Sequence, residues 1–323
     1  MSFEIRHLVL HPPNWLGDVV MALPAMQALS QGIKAERISM IGQPWLAELL
    51  PFLSFKRVRY CKDVPADADM GVLFTNNFRS AWRLWRAGVP ERIGFRGQWR
   101  RMLLTNAPKA EISMASEHHR AYFLNLAEQV GFTARKQEAV MQMSEQEIED
   151  GTRLLCEHGL NEKKTVCIAP GAQFGEAKRY PVCSYNRVLL ALHKLGWDLL
   201  ILGTKAERGI AEQCLAGVEG RFWNASGETS LRQAIQLLGA SRVLLCNDSG
   251  LMHVSAALGN PTVAMFGATD PGRTAPSGKR VSVLYEPAEC SPCLRRECSM
   301  QEKTCMVNIT SESVLKACLK WLP

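Results

Sequence analysis

The sequence predicts an α/β protein made of two doubly wound domains, and three observations carry that expectation. Short apolar, β-branched runs alternate with amphipathic stretches along nearly the whole chain, the rhythm of parallel strands covered by helices. Four of the apolar runs end in a polar or glycine-rich turn, the place where such sheets bind ligands. At 323 residues the chain also exceeds the usual size of one hydrophobic core.

The first candidate strand is IRHLVL, 5–10. It leads through HPPNWLGD into VVMALPAMQALSQGI, whose length and apolar spacing suit a packed helix. Asp18 stands at that helix entrance. Unpaired N–H groups and the positive end of the helix favour a carboxylate there, so its plain structural role is that of a cap. RISMIG (37–42) and MGVLFT (70–75) are the next strands, and helical segments follow at 117–130 and 145–159. The charged stretch 144–164 ends in a polar turn before TVCIAP (165–170), the strongest central strand, which places a boundary near residue 160. The expected domains are 1–160 and 161–323, with the last helix packing back on the first. WDLLILG (197–203), RVLLCN (242–247) and PTVAMFG (261–267) are the later strands, interleaved with helical segments 184–195, 206–215 and 230–239. Ligands of two such domains are expected in a cleft between them, at the carboxyl ends of the strands.

Composition narrows the class. Hydrophobic residues at 47% and charged residues at 21% are globular values. No apolar run approaches the roughly 18 residues that a bilayer span needs, and MSFEIRHLVLHPP has neither a basic leader nor a cleavage site, so a cytoplasmic protein is expected. Eleven cysteines, an odd number, agree with a reducing compartment. The net charge of +7 is concentrated: Arg79, Arg83, Arg86, Arg92, Arg96, Arg100 and Arg101 face one acid, Glu91. This is an anion-attracting surface or a solvated basic face. Without a zinc-finger, RRM or KH signature it does not read as a nucleic-acid site.

The turns of the second half carry the chemistry. In PGAQFGEAKRYP (170–181) the glycines Gly171 and Gly175 permit close backbone approach, and Lys178 with Arg179 supplies charge suited to phosphate. The Walker A spacing is absent, which disfavours a P-loop NTPase. In NDSGLMHVSAALGNP (247–261), Asp248 and Ser249 stand where a helix begins, followed by Gly250 and His253. Caps and a core histidine explain these residues as structure; a diphosphate on the helix N-terminus explains them as a site. FGATDPGRTAPSG is too long a run of turn residues for simple punctuation. In GTKAE, Glu207 suits ribose hydroxyls as an acceptor, or is a solvated first-turn glutamate.

NWLGDVVMALPAMQAL, PGAQFGEAKRYP and NDSGLMHVSAALGNPTVAMFG, in this order and at these separations, resemble the bacterial lipopolysaccharide heptosyltransferases of glycosyltransferase family 9. The likeness runs from about residue 7 to 310. It implies a GT-B architecture, two Rossmann-like domains with parallel sheets facing across a cleft, acceptor on the first and nucleotide-sugar on the second. It also implies inverting transfer of heptose from ADP-heptose to a heptose already on Kdo2-lipid A. By the same resemblance Asp18 is the general base and Lys178 neutralises the departing diphosphate. Gly171, Gln173, Lys178, Thr204, Glu207, Asp248, Ser249, Gly250 and His253 are the donor set. Asn14, Trp15, Asn76, Arg79, Arg96 and Arg100 are the acceptor set, with guanidinium groups for Kdo carboxylates and lipid phosphates. The lipid acceptor implies peripheral attachment to the inner face of the inner membrane. No tightly bound cofactor is implied; magnesium could accompany the diphosphate, but no acidic cage for it is visible. Cys290, Cys293, Cys298 and Cys305 have the density of a metal site with a spacing that fits no paired C-x-x-C ribbon, and read either as a structural cluster or as reduced thiols. The other readings are a first heptose addition onto Kdo, a sugar-nucleotide epimerase of the same fold, and a polyanion-binding module.

Overall fold

The structure, a computed structural model, describes residues 5–55, 57–134, 138–300 and 303–323. The chain forms two compact units, Met1–Gln142 and Met143–Pro323. The first holds five strands, β1 (His7–His11), β2 (Arg37–Ile41), β3 (Val58–Cys61), β4 (Met70–Leu73) and β5 (Glu91–Gly94). All pair in parallel in the order β3-β2-β1-β4-β5. Its helices are α1 (Leu16–Ile33), α2 (Leu46–Leu49), α3 (Phe78–Arg86) and α4 (His119–Gln129).

The second unit begins with α5 (Glu145–Glu157) and carries six strands, β6 (Thr165–Ala169), β7 (Asp198–Ile201), β8 (Phe222–Asn224), β9 (Val243–Asn247), β10 (Thr262–Phe266) and β11 (Val281–Tyr285). They run in parallel in the order β11-β10-β9-β6-β7-β8. The remaining helices are α6 (Val182–Lys194), α7 (Arg208–Cys214), α8 (Leu231–Ala240), α9 (Gly250–Ala257), α10 (Pro271–Thr274), α11 (Thr304–Val307) and α12 (Ser311–Leu319). In each sheet the strand order reverses once, between β1 and β4 and between β6 and β9. Loops diverge at these points and leave a crevice at the carboxyl ends.

All seven strands expected from the sequence are present, and each lies inside a sheet. The four that the sequence reading leaves out, β3, β5, β8 and β11, are the four edges. The reason is burial. An interior parallel strand such as Thr165–Ala169 is covered on both faces and reads as an unbroken apolar run. An edge strand such as Val58–Cys61 is half exposed and carries arginine among its apolar residues.

The core of the second unit shows the two-residue period of its strands. Val166, Ile168, Leu199, Ile201, Val243, Leu245, Val263 and Met265 form one buried face against Tyr185, Val188, Leu189 and Leu192 of α6. Val314 and Cys318 of α12 complete that cluster, so the last helix, expected to return to the first domain, is built into the core of the second. Helix α5 likewise belongs to the second unit, where it packs on α8, and this sets the division ahead of it rather than near residue 160. Glu147 is buried there and accepts from Arg232 and Gln236 of α8. At Gly151 the helices come so close that a Cβ would lie 2.3 Å from the Gln236 carbonyl oxygen.

In the first unit α1 packs along α4. Near its exit, Gly32 leaves no room for a Cβ beside the Phe132 ring. His7 is fully buried at the start of β1, with its ring nitrogens bonded to Asp67 at 2.9 Å and Ser39 at 2.8 Å. This Ser–His–Asp geometry serves no chemistry, because Ser39 is fully buried within β2. It clamps β1 to β2 and to the turn before β4.

Two measurements follow from this packing. Gly151→Ala should destabilise the second unit by about 1–3 kcal/mol through overpacking against α8, read as a lower Tm in calorimetry. His11 ends β1 fully enclosed, and burial, with Arg83 nearby, lowers its pKa from 6.5 to about 4. The unfolded chain therefore takes up that proton first as pH falls. Stability should drop by about 3 kcal/mol between roughly pH 6.5 and 4, and urea unfolding of His11→Asn across this window should show the drop reduced.

Candidate functional site

At the crevice of the first sheet, β1 leads into Pro13–Asp18 and β4 into Phe74–Asn76. Pro13, Asn14, Trp15, Asp18, Phe74, Thr75, Asn76, Met114 and Phe123 line a pocket of about 160 Å³ there. Asp18 is in the first turn of α1 but is not its N-cap: that position is Trp15, whose side chain makes no capping hydrogen bond. Its carboxylate faces His119, Nδ1 to Oδ1 at 3.4 Å. His119 opens α4, so the positive ends of two helices meet at one half-buried carboxylate, an arrangement that holds an anion in place. The Nε2 of His119 is buried and has no protein partner. Sequence reasoning placed this helix but passed over the histidine, because the 101 residues that separate it from Asp18 give no local signal.

The acceptor set divides. Asn14, Trp15 and Asn76 line the pocket, and Arg79 and Arg96 are exposed. Arg100 departs from expectation. It is fully buried, donating to the carbonyls of Phe95 (2.7 Å) and Thr75 and to Asn76 Oδ1 (3.1 Å). Burial pushes its pKa down to about 10. The guanidinium is a bracket for the Thr75–Asn76 turn rather than a surface cation, and Asn76 is fixed from its other end by donating to the Tyr122 hydroxyl at 2.7 Å. Arg92 is also turned inward, onto the carbonyls of Leu103, Val89 and Pro90.

At the crevice of the second sheet, the last residue of β9 organises the turn after β6. Asn247 is fully buried. Its amide donates to the carbonyls of Pro170 and Gly171, and its carbonyl accepts from Tyr180 N and the Tyr185 hydroxyl. The turn so fixed carries Lys178 to Asp248, Nζ to Oδ2 at 2.5 Å, with both side chains mostly buried. The Thr269 hydroxyl donates to the same oxygen at 2.6 Å, which gives the long loop after β10 a site contact. The Lys178 ammonium also lies 4.7 Å from the centre of the Phe174 ring. Beside it α9 opens with Ser249 and Gly250, and the Ser249 hydroxyl is buried without a protein partner. A helix N-terminus, a lysine and an unpaired hydroxyl in one place are suited to an anion such as a diphosphate.

Glu207 is buried and bonds back to Thr204, accepting from its N at 2.8 Å and its hydroxyl at 2.9 Å. The carboxylate lies against Gly171, where a Cβ would meet Oε1 at 1.9 Å, so the glycine is required by close approach. Next to this turn Ser226 is buried, its hydroxyl unpartnered and facing Gly203. His253 is buried inside α9, and Gln173 and Thr204 are exposed. The structure thus gathers Gly171, Lys178, Asp248, Ser249 and Gly250 around one crevice and adds Asn247 and Ser226, which sequence reasoning did not single out.

The cysteine segment supports the turn after β6 from outside. The Arg296 carbonyl accepts from Ala177 N at 3.0 Å, and Gly175 touches the Arg296 backbone too closely for any Cβ. All eleven cysteines are free thiols. Cys305 is buried, which raises its pKa, and Cys290, Cys293 and Cys298 raise it further. Gln301 and Glu302, between Cys298 and Cys305, lie outside the described residues. Among the described residues no group of three or more His, Cys, Asp or Glu side chains is placed to hold a metal ion.

The family model described as glycosyltransferase family 9 (heptosyltransferase) matches residues 57–304. The chain belongs to glycosyltransferase family 9. It is 27% identical to lipooligosaccharide heptosyltransferase 2 of Haemophilus ducreyi, over 84% of this chain and 86% of that protein. Among solved structures it is similar to E. coli ADP-heptose lipopolysaccharide heptosyltransferase II, with a TM-score of 0.81 and 24% identity over 98% of each chain. It is also similar to E. coli heptosyltransferase WaaC with ADP, with a TM-score of 0.72 and 15% identity over 97% of this chain and 99% of that one. This family 9 protein is therefore a glycosyltransferase with the two Rossmann-like units of the GT-B class. That leaves the epimerase and polyanion-binding readings without support.

In this glycosyltransferase Asn247→Ala should strand the Pro170 and Gly171 carbonyls and Tyr180 N–H in the interior. The expected cost is about 2–4 kcal/mol of stability, measurable by thermal unfolding.

Proposed function

We propose that the protein transfers heptose from ADP-heptose to the first heptose of the Kdo2-lipid A inner core, with inversion, as a heptosyltransferase II. The reading is carried by the Lys178–Asp248 pair at the second crevice of a family 9 chain. It is supported by the pocket around Asp18 and by relatives named heptosyltransferase 2 over most of the chain. A hydroxyl of the acceptor heptose lies at Asp18. Its oxygen bonds to the anomeric carbon of the donor while the bond from that carbon to the β-phosphate oxygen breaks, and its proton passes to the Asp18 carboxylate. ADP leaves from the opposite face. The hydroxyl becomes acidic only as the new bond forms, so the carboxylate needs placement more than a high pKa. His119 supplies that placement.

On the donor side Lys178 and the α9 N–H groups meet the diphosphate, where negative charge grows as ADP departs. Asp248 holds the ammonium in position before the donor arrives. Glu207 and Thr204 border the nucleoside. ADP-heptose is a substrate, and no resident cofactor takes part. The enzyme works in the cytoplasm, peripherally at the inner face of the inner membrane. Among the described residues no helix is long and apolar enough to cross a membrane.

The test is ADP release from ADP-heptose by purified protein, with Kdo2-lipid A bearing one heptose and with the unheptosylated form. Release should depend on the heptosylated acceptor, and Asp18→Ala should lower it by about 100-fold or more with ADP binding unchanged. Turnover on the unheptosylated acceptor alone would assign the first addition instead. Release from neither, by protein that binds ADP-heptose, would overturn the reaction.

A further inference from the structure

Large apolar side chains that find no place in the core gather on one side of the first unit. On α3, Phe78 is 42% exposed, Trp82 38% and Trp85 51%. Their spacing of i, i+4 and i+7 puts the three on one stripe of the helix. It is not the stripe that packs on the sheet, for Ala81 and Leu84 are fully buried and hold that side. The adjoining turn Arg100–Leu103 packs against α3. Before and within this turn Trp99 is 86% exposed and Met102 76%. Gln98 and Trp99 both adopt left-handed backbone, with φ of 47° and 62°. The buried Arg100 side chain anchors this conformation, and the indole is left in solvent.

Charge surrounds the aromatics. Arg79, Arg86, Arg96 and Arg101 are exposed, and among the described residues none of them is in an ion pair. The Arg86 guanidinium lies 5.1 Å over the Trp82 ring. Exposed aromatic surface of this extent marks an interaction face. Indole rings beside unpaired guanidinium groups suit the headgroup layer of a bilayer, where a ring can be half in hydrocarbon and a cation can meet phosphate.

We propose that α3 and the Trp99–Met102 turn dock the first unit on the surface of an anionic phospholipid bilayer. The rings of Trp82, Trp85 and Trp99 lie at headgroup depth and the arginines on lipid phosphates. The placement serves the catalytic pocket. Asn77 caps α3 and Asn76, its neighbour, lines the pocket of Asp18, so a docked α3 holds the pocket mouth beside the membrane. A lipid-borne acceptor presents its sugar there. Only this last step rests on the function proposed above.

The test is sedimentation of the full chain with vesicles of phosphatidylcholine alone and of phosphatidylcholine mixed with phosphatidylglycerol. The mixed vesicles should bind it, and phosphatidylcholine alone much less. The pair Trp82→Ala and Trp85→Ala should lower partition into mixed vesicles about tenfold or more. The pair Arg86→Gln and Arg101→Gln should lower it about 25-fold at low salt, at roughly fivefold per arginine, with the difference shrinking as salt rises. Turnover on a delipidated acceptor should stay at the wild-type level in all of these variants. Vesicle binding unchanged in both pairs would overturn the proposal. So would equal binding to the two vesicle types, or self-association abolished by the tryptophan pair without vesicle binding, which would assign the face to a second copy. Loss of turnover on the delipidated acceptor would make it a glycan site instead. Vesicle binding by wild type that turns over no acceptor would leave the docking intact and overturn the proposed reaction.

Discussion

Asn247 satisfies four backbone and side-chain partners from the last position of β9, and the geometry of the second crevice follows from that carboxamide. It ties the exit of β6 to the exit of β9 where the strand order reverses. Tyr180, held by its N–H to Asn247 and by its hydroxyl to the Ile309 carbonyl, pins the far end of the same turn into the core. Lys178 sits between these fixed points, and its ammonium meets Asp248 there. A buried polar group with every partner satisfied specifies a single arrangement, because each alternative leaves a donor or acceptor unpaired in a low-dielectric interior.

The ion pair of Lys178 with Asp248 is better understood through orientation than through stability. Desolvation of two charges offsets much of their attraction, so such a pair adds little net folding energy. What it does is keep a cation in place at a helix start. Thr269 shares the carboxylate and so couples the loop after β10 to the same centre. The first crevice has a corresponding logic with the sign reversed: Asp18 is the fixed anion, and His119 and two helix entrances surround it. In both crevices a charged side chain reaches its position from a turn that neighbouring elements hold rigid.

The arginine-rich segment shows how one composition divides into two roles. Arg92 and Arg100 turn inward and spend their guanidinium groups on carbonyls at the ends of turns. Arg79, Arg86, Arg96 and Arg101 stay outside, in the segment that also exposes Trp82, Trp85 and Trp99, with Arg86 lying over the Trp82 ring. The buried pair makes the outer face possible, since Arg100 holds the turn on which Trp99 stands. Sequence order alone does not tell these two groups apart.

The sequence by itself determined that this is a parallel α/β protein, the position of every interior strand, and the turns that bear Asp18, Lys178 and Asp248. Those features are local: a strand covered on both faces must be continuously apolar, and a ligand turn must carry its glycines and charges within a few residues. The tertiary structure decided the rest. It placed the four edge strands, whose half-exposed residues carry no clear pattern, and it assigned α5 and α12 to the core of the second unit. It brought His119 to Asp18 and turned Arg100 into the interior, and it made Asn247 the tie between two strands that are adjacent only in the folded sheet. Contacts between residues 25 to 101 positions apart leave no periodic trace in a chain, because what selects them is the strand order and the space left in the packed core.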